Sequence, residues 1–121
     1  MAGYYDIKIE QGATFTLPIH IMNSDGTDFD LTTWSKRGQI RRTHRTGTKI
    51  ADFTFNVTDA VHGRMEICLT ASVTATIVAG ETESDLRGKY VYDIELYKST
   101  PEEVKRLLNG FVYVSPEVTK E

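Results

Sequence analysis

The 121-residue sequence predicts a mainly β fold, a sandwich or an open barrel, and three observations carry that prediction. Short runs of alternating apolar and polar residues recur at fairly regular spacing. Gly, Asp, Asn, Ser and Thr separate the runs, and a single stretch departs from the two-residue period. Hydrophobic residues make up 40% and charged residues 26%, a balance that places the chain with ordinary globular domains and not with disordered or collagen-like ones. The length allows one core, so one domain is expected over residues 1–115, followed by a C-terminal tail over 116–121.

The first run, "YYDIKIEQG", puts Ile7 and Ile9 on one face and Lys8 and Glu10 on the other, a half-buried strand ended by Gly12. In "TFTLPIHIM", Phe15, Leu17, Ile19 and Ile21 face inward. Pro18 has no amide hydrogen to donate, which predicts an unpaired side or a bulge in this strand. Asp25-Gly26 marks a tight turn that needs a positive φ. "SKRGQIRR" follows, with Ile40 inward, and "RTHRTGTK" reads as an exposed hairpin tip. "IADFTFNVTD" reads as one strand with Phe53, Phe55 and Val57 on one face, and "RMEICLT" as another with Met65, Ile67 and Leu69 inward.

"ASVTATIVAG" breaks the alternation. Val73 and Ile77 are four residues apart, and Gly80 stands where a left-handed C-cap would close a short helix of about two turns. "ETESDLRG" is a polar, acidic loop. The last two strands, "KYVYDIELYKS" and "VKRLLNGFVYVS", are joined through "TPEE". Tyr90, Tyr92, Ile94 and Leu96 share one face of the former, while apolar residues on both faces of the latter predict a strand covered on both sides. Pro116 ends that strand because it cannot donate to a ladder.

The charges are unevenly placed. The chain carries 14 basic and 17 acidic residues, net −3. Between Asp30 and Asp52 lie Lys36, Arg37, Arg41, Arg42, Arg45 and Lys49 with no acidic residue, so this hairpin carries +6 and the remainder 8 − 17 = −9. Three readings of the hairpin stand side by side. Its charges could keep a solvated hairpin from pairing with other chains. They could meet the acidic loop of a neighbouring subunit, Glu81, Glu83 and Asp85, and so set orientation in an assembly. Or they could track a nucleic-acid backbone, but the aromatic residues that accompany single-strand binding are missing between Arg37 and Lys49.

Sites for chemistry are sparse. "NSDGTDFD" is acidic but lacks the spacing of a calcium-binding EF-hand loop. His20, His44 and His62 sit on separate segments without Cys or carboxylate at zinc-ligand spacing. Neither Ser72 nor Ser99 lies in a glycine-flanked nucleophile turn. Asp93 and Glu95 could flank a glycosidic bond, yet they alternate with tyrosines and read more simply as the wet face of a strand. No enzymatic activity, metal or cofactor is therefore expected. The single cysteine, Cys68, reads as packing material in a strand and suits a reducing compartment. No apolar stretch is long enough to span a bilayer, and Met1 leads into a polar alternating segment. Synthesis in the cytoplasm without a membrane partner is expected.

Five motifs follow one another in order: "QGATFTLPIHI", "DGTDFDLTTWSKRGQIR", "GRMEICLTASVTATIVAG", "YVYDIEL" and "VKRLLNGFVYVSPEVTK". This series, which covers nearly the whole chain, resembles small virion structural proteins of tailed bacteriophages and the N-terminal domain of upper baseplate proteins. Trp34, in place of a glycine-tyrosine type of turn, and the "ETESDLRGK" insertion depart from the pattern. The resemblance implies an immunoglobulin-like β-sandwich of about seven strands with one short helix. It further implies a virion protein made in the host cytoplasm that docks onto other virion proteins and copies of itself. The basic hairpin and acidic loop would set orientation. Val118 and Thr119, in a tail that leaves the sheet at Pro116, would latch a neighbour. The alternative is a module binding carbohydrate or a capsid surface, with Trp34, Tyr4 and Tyr5 as an aromatic platform.

Overall fold

The computed structural model describes residues 3–43, 48–80, 85–100 and 102–117. The strands in chain order are β1 (Gly3–Tyr4), β2 (Ile7–Glu10), β3 (Phe15–His20), β4 (Ser35–Arg41), β5 (Lys49–Asp52), β6 (Thr54–Asp59), β7 (Arg64–Leu69), β8 (Lys89–Ser99) and β9 (Glu102–Ser115). A four-residue helix, α1 (Ala71–Thr74), and a 3-10 turn over Leu86–Gly88 lie between β7 and β8. The fold is mainly β. The larger sheet runs β1-β9-β8-β4-β5 with β2 also on β9, and the smaller runs β3-β7-β6.

The two sheets share one core. Ile7, Ile9, Ile40, Tyr90, Tyr92, Ile94, Val112 and Val114 from the larger sheet meet Ile67 and Leu69 from the smaller, with Phe53 between the sheets. Ile40, Ile67, Ile94 and Val112 are fully buried, and each such aliphatic side chain contributes roughly 1.5–3 kcal/mol relative to exposure. A second cluster, Leu31, Trp34, Met65 and Leu96, extends the core at one end.

The alternations expected of β3, β7 and β8 appear at the expected residues. β3 is an edge of the smaller sheet, which accommodates Pro18. Gly26 has φ 89°, and its amide donates to the carbonyl of Asn23 in the expected turn.

Nine strands occur among the described residues where about seven are expected. The difference has two sources. β1 and β2 form two short parallel segments along β9, separated at Tyr5-Asp6, where Asp6 Oδ1 accepts from the Phe111 amide at 3.0 Å. The run "IADFTFNVTD" is two strands, because β5 pairs with β4 in the larger sheet and β6 with β7 in the smaller. The chain crosses between sheets at Phe53, whose amide donates to Gly38.

Gly80 does not cap α1. The helix ends at Ala75, and Gly80 has no positive φ. What requires glycine there is close approach of backbone: a Cβ on Gly80 would lie 2.8 Å from the Asp85 carbonyl oxygen. Ile77 is nevertheless buried in the core, outside the helix.

The apolar end of the chain is held from both sides. β9 lies between β8 and the β1/β2 pair, so neither of its edges is open along the paired registers. Its inner face is covered by the core, but its outer face differs from the expected covered strand. Phe111 and Tyr113 are half-buried there under the Lys89 side chain, whose ammonium is 4.2 and 5.9 Å from their ring centroids. The strand ends at Ser115, and Glu117 turns back to donate its amide to Gln11 Oε1 at 3.2 Å.

Candidate functional site

The outer face of the larger sheet presents side chains in rows set by strand register. Along the strands the rows read Ser35-Tyr97-Val104, then Arg37-Glu95-Arg106, then Gln39-Asp93-Asn109-Tyr4, then Arg41-Val91-Phe111, then Lys89-Tyr113-Lys8. The bulge between Ile94 and Glu95 inserts Leu107 into β9 and turns both Leu107 and Leu108 toward the core. That twist leaves Arg106 opposite Glu95.

The central rows form an acidic spine with basic flanks. Arg37 donates to Glu95 at 2.8 Å and lies 4.5 Å from the Tyr97 ring centroid, while Arg106 is 3.8 Å from Asp93. Burial, and then the neighbouring Glu95, hold the Asp93 carboxyl above its ordinary range against the pull of Arg106, Arg37 and Arg41. The Arg37 guanidinium is held above its usual value by its bond to Glu95.

Two depressions adjoin on this face. The polar one, about 340 Å³, is lined by Gln39, Arg41, Asp93, Glu95, Arg106 and Asn109 among others. The more apolar one, about 360 Å³, is lined by Arg42, Leu86, Lys89, Tyr90, Val91 and Phe111. Both include Thr43 and Val91.

The expected basic hairpin exists as β4-β5, with Arg37 and Arg41 on the outer face. Its described charges meet groups of their own chain. Arg42 donates to the carbonyls of Leu86 and Arg87, Arg41 to Gln39 Oε1, Lys36 to the Trp34 carbonyl, and Lys49 to Asp52. The Lys49 contact holds the Asp52 carboxyl below its ordinary range. Of the acidic loop, Asp85 caps the 3-10 turn and pairs with Arg87 at 2.7 Å. Arg45, Glu81, Glu83, Val118 and Thr119 lie outside the described residues.

The aromatic platform does not assemble. Trp34 is buried in the second core cluster, with Lys98 and Lys105 over its ring, while Tyr4 and Tyr5 are exposed on the N-terminal edge. The acidic "NSDGTDFD" stretch is a turn, with Asp25 accepting from Thr27 and Asp28 paired to His20 at 2.8 Å. Among the described residues no three His, Cys, Asp or Glu side chains are grouped as metal ligands would be, and no helix is long and apolar enough to cross a membrane.

Cys68 faces outward on β7, half-buried and free. Asp93 and Glu95 form the wet face of β8, as the alternation predicts, but local spacing does not disclose the partners that complete this face. Arg106 and Asn109 sit in a run dominated by its apolar residues, and only the β8-β9 register brings them to the carboxylates. Neither a protein-family model nor a curated protein sequence matches this chain.

Proposed function

We propose that this protein is a non-enzymatic structural component of a tailed-phage virion, in the tail, baseplate or neck, that works by docking onto neighbouring virion proteins and copies of itself. The observation that carries the reading is the ruled outer face of the larger sheet, where side chains of both signs and several aromatic rings stand on rigid strands instead of loops. Such a face gives orientation and partner choice more than raw affinity. The order of the five sequence motifs supports the phage assignment.

An immunoglobulin-like topology accompanies this reading. Two features support it: the order β2-β9-β8-β4-β5 opposite β3-β7-β6, and Tyr90 at the start of β8, whose hydroxyl donates upstream to the Val78 carbonyl at 2.7 Å. The carbohydrate-binding alternative loses its main support because Trp34 is core.

The test is incorporation. In the phage that encodes this chain, Arg41→Glu combined with Arg106→Glu is expected to keep the isolated domain folded and to remove it from purified particles. Arg42 is left intact because it braces the fold. Normal incorporation of the double variant, or absence of the unaltered protein from purified particles, would sink the reading.

A further inference from the structure

Among the described residues the two sheets end in open edges at β1/β2, β3, β5 and β6, and all but the last carry a guard against pairing with another chain. β3 has Pro18, β2 has Lys8 and Glu10, and β5 is a short strand bracketed by the Lys49-Asp52 ion pair. The run from Thr54 to Thr58 in β6 has no charge, no proline and no glycine. We infer that β6 is a contact between two copies of this chain, paired antiparallel about a two-fold axis at Asn56. This names one self-contact of the docking reading above and rests on that reading only for its place in a particle.

Backbone alternation supplies the first argument. Pro18 has no amide to donate, so its register pair with Glu66 is one that exchanges no hydrogen bonds, and the backbone groups of Glu66 turn instead to Asn56 on β6. Alternation along β6 then turns the amides and carbonyls of Phe55 and Val57 away from β7, to the open edge. None of them has a hydrogen-bond partner among the described residues.

The side chains supply the second argument. Phe55 and Val57 stand on the core-facing side of β6, opposite Ile67 and Met65, yet Phe55 is only half-buried and Val57 is 36% exposed. Opposite residues of an antiparallel pair share a face, so a two-fold axis normal to the sheet passes through a residue. At Asn56 the axis sets Phe55 of each copy against Val57 of the other, where both backbone hydrogen bonds form and apolar surface is covered. At Phe55 it would set Val57 against Phe53, whose amide is committed to Gly38. At Val57 it would set Phe55 against Asp59 across the bulge at Thr58. The Asn56 axis therefore gives a continuous sheet running β3-β7-β6-β6-β7-β3.

Electrostatics permits this pairing. Each copy carries −3, but the acidic residue of β6, Asp59, lies roughly 20 Å along the sheet from its mate, beyond the Debye length of about 8 Å at physiological salt. Asp59 is also paired to His62 at 2.8 Å. An unrelated strand finds no charge on this run to fix its direction or register, whereas a second β6 fixes both.

The experiment is sedimentation velocity on the intact protein from about 10 μM to about 1 mM, since a contact this small gives a Kd of about 0.1 mM. Growth from monomer to dimer is expected across that range. Val57→Lys, at an exposed position, places a cation in each Phe55 pair and should weaken association about tenfold or more. Thr16→Lys, an exposed change on the β3 edge, should leave it unaltered. Cooperative unfolding of each variant at about 10 μM establishes that it is folded. A second measurement relies on gain instead of loss. In a Cys68→Ser background, Asn56→Cys should give a covalent dimer on mild oxidation, because mates at a pair without hydrogen bonds bring their Cα atoms to about 4.5 Å, within disulfide reach. Thr16→Cys in the same background should not.

A monomer at about 1 mM would overturn the inference and leave the docking reading to its own incorporation test. Association unaltered by Val57→Lys would overturn it too, as would a covalent dimer formed as readily by Thr16→Cys as by Asn56→Cys. A β6-dependent dimer of a chain that is absent from purified particles would uphold the pairing and sink the phage reading.

Discussion

The guanidinium carbon of Arg42 stands 4.7 Å from the ring centroid of Tyr90, and the same group donates to the carbonyls of Leu86 and Arg87 at 2.8 Å each. One side chain therefore ties the end of β4 to the turn that feeds β8. Tyr90 continues the tie by donating to the Val78 carbonyl, and burial holds its phenol above the usual range while Arg42 opposes that shift. Arg42→Ala is expected to lower stability by about 1–2 kcal/mol, from the lost cation-π contact and the two charge-assisted bonds. Arg42→Lys should recover less than half, because an ammonium lacks the fork that reaches both carbonyls. Urea unfolding measures both; a loss under about 0.3 kcal/mol for Arg42→Ala would refute the bracing role.

Thr74 is fully buried, with 0% exposure. Its hydroxyl donates to the Ala13 carbonyl at 2.8 Å and accepts from the Gly12 amide at 3.1 Å, so α1 is fastened to the β2-β3 turn through one oxygen. Thr74→Val keeps the shape and strands both backbone groups, at an expected cost of about 2 kcal/mol. Thr74→Ser keeps the hydroxyl and should cost about 1 kcal/mol or less. Equal unfolding midpoints for the two variants would show that packing, not the hydroxyl, holds the helix in place.

The sequence discloses local relations and hides distant ones. Tyr90, Tyr92, Ile94 and Leu96 are legible as an inner face because a strand's period is local, and Pro18 is legible as an edge residue because its missing donor is intrinsic. The crossing at Phe53 is illegible for a physical reason. Ala51, Phe53 and Phe55 keep one alternation through it, since both sheets face the same core. Gly80 misleads because its constraint is the backbone of Asp85 and Gly88, which no helix signal encodes. The outer face fails similarly: Arg37 and Glu95 are 58 residues apart, and only the β4-β8 register joins them.

Two glycines with similar backbone angles should respond differently to substitution. Gly26 has φ 89° and nothing within 4 Å of an added Cβ, whereas Gly63 has φ 71° and a Cβ there would lie 2.4 Å from the Ile21 carbonyl oxygen and 2.6 Å from that of Phe29. Gly26→Ala therefore adds only left-handed strain, about 1–2 kcal/mol. Gly63→Ala adds the same strain plus a clash between backbones that the β6-β7 turn and the 21–29 segment cannot both relieve, and about 3 kcal/mol or more is expected. Thermal unfolding of the pair decides the point; equal losses would show that φ alone governs both positions.

Asp93 makes stability depend on pH in a direction opposite to that of a salt-bridged carboxylate. Its folded pKa is raised, chiefly by burial and then by Glu95, so the folded protein binds this proton more tightly than the unfolded chain does. In the window between the unfolded value near 3.8 and the raised folded value, the folded state holds more protons, and this group's contribution to stability falls as pH rises. Above the folded pKa the full cost of the charged carboxylate is present, and below the unfolded value it vanishes. Asp93→Asn should thus be more stable than the parent at pH 7 and indistinguishable from it near pH 3, a difference read from paired unfolding curves across that range. A parent more stable than Asp93→Asn at pH 7 would mean that Arg106, Arg37 and Arg41 outweigh burial, and that the acidic spine of the outer face stabilises the sheet.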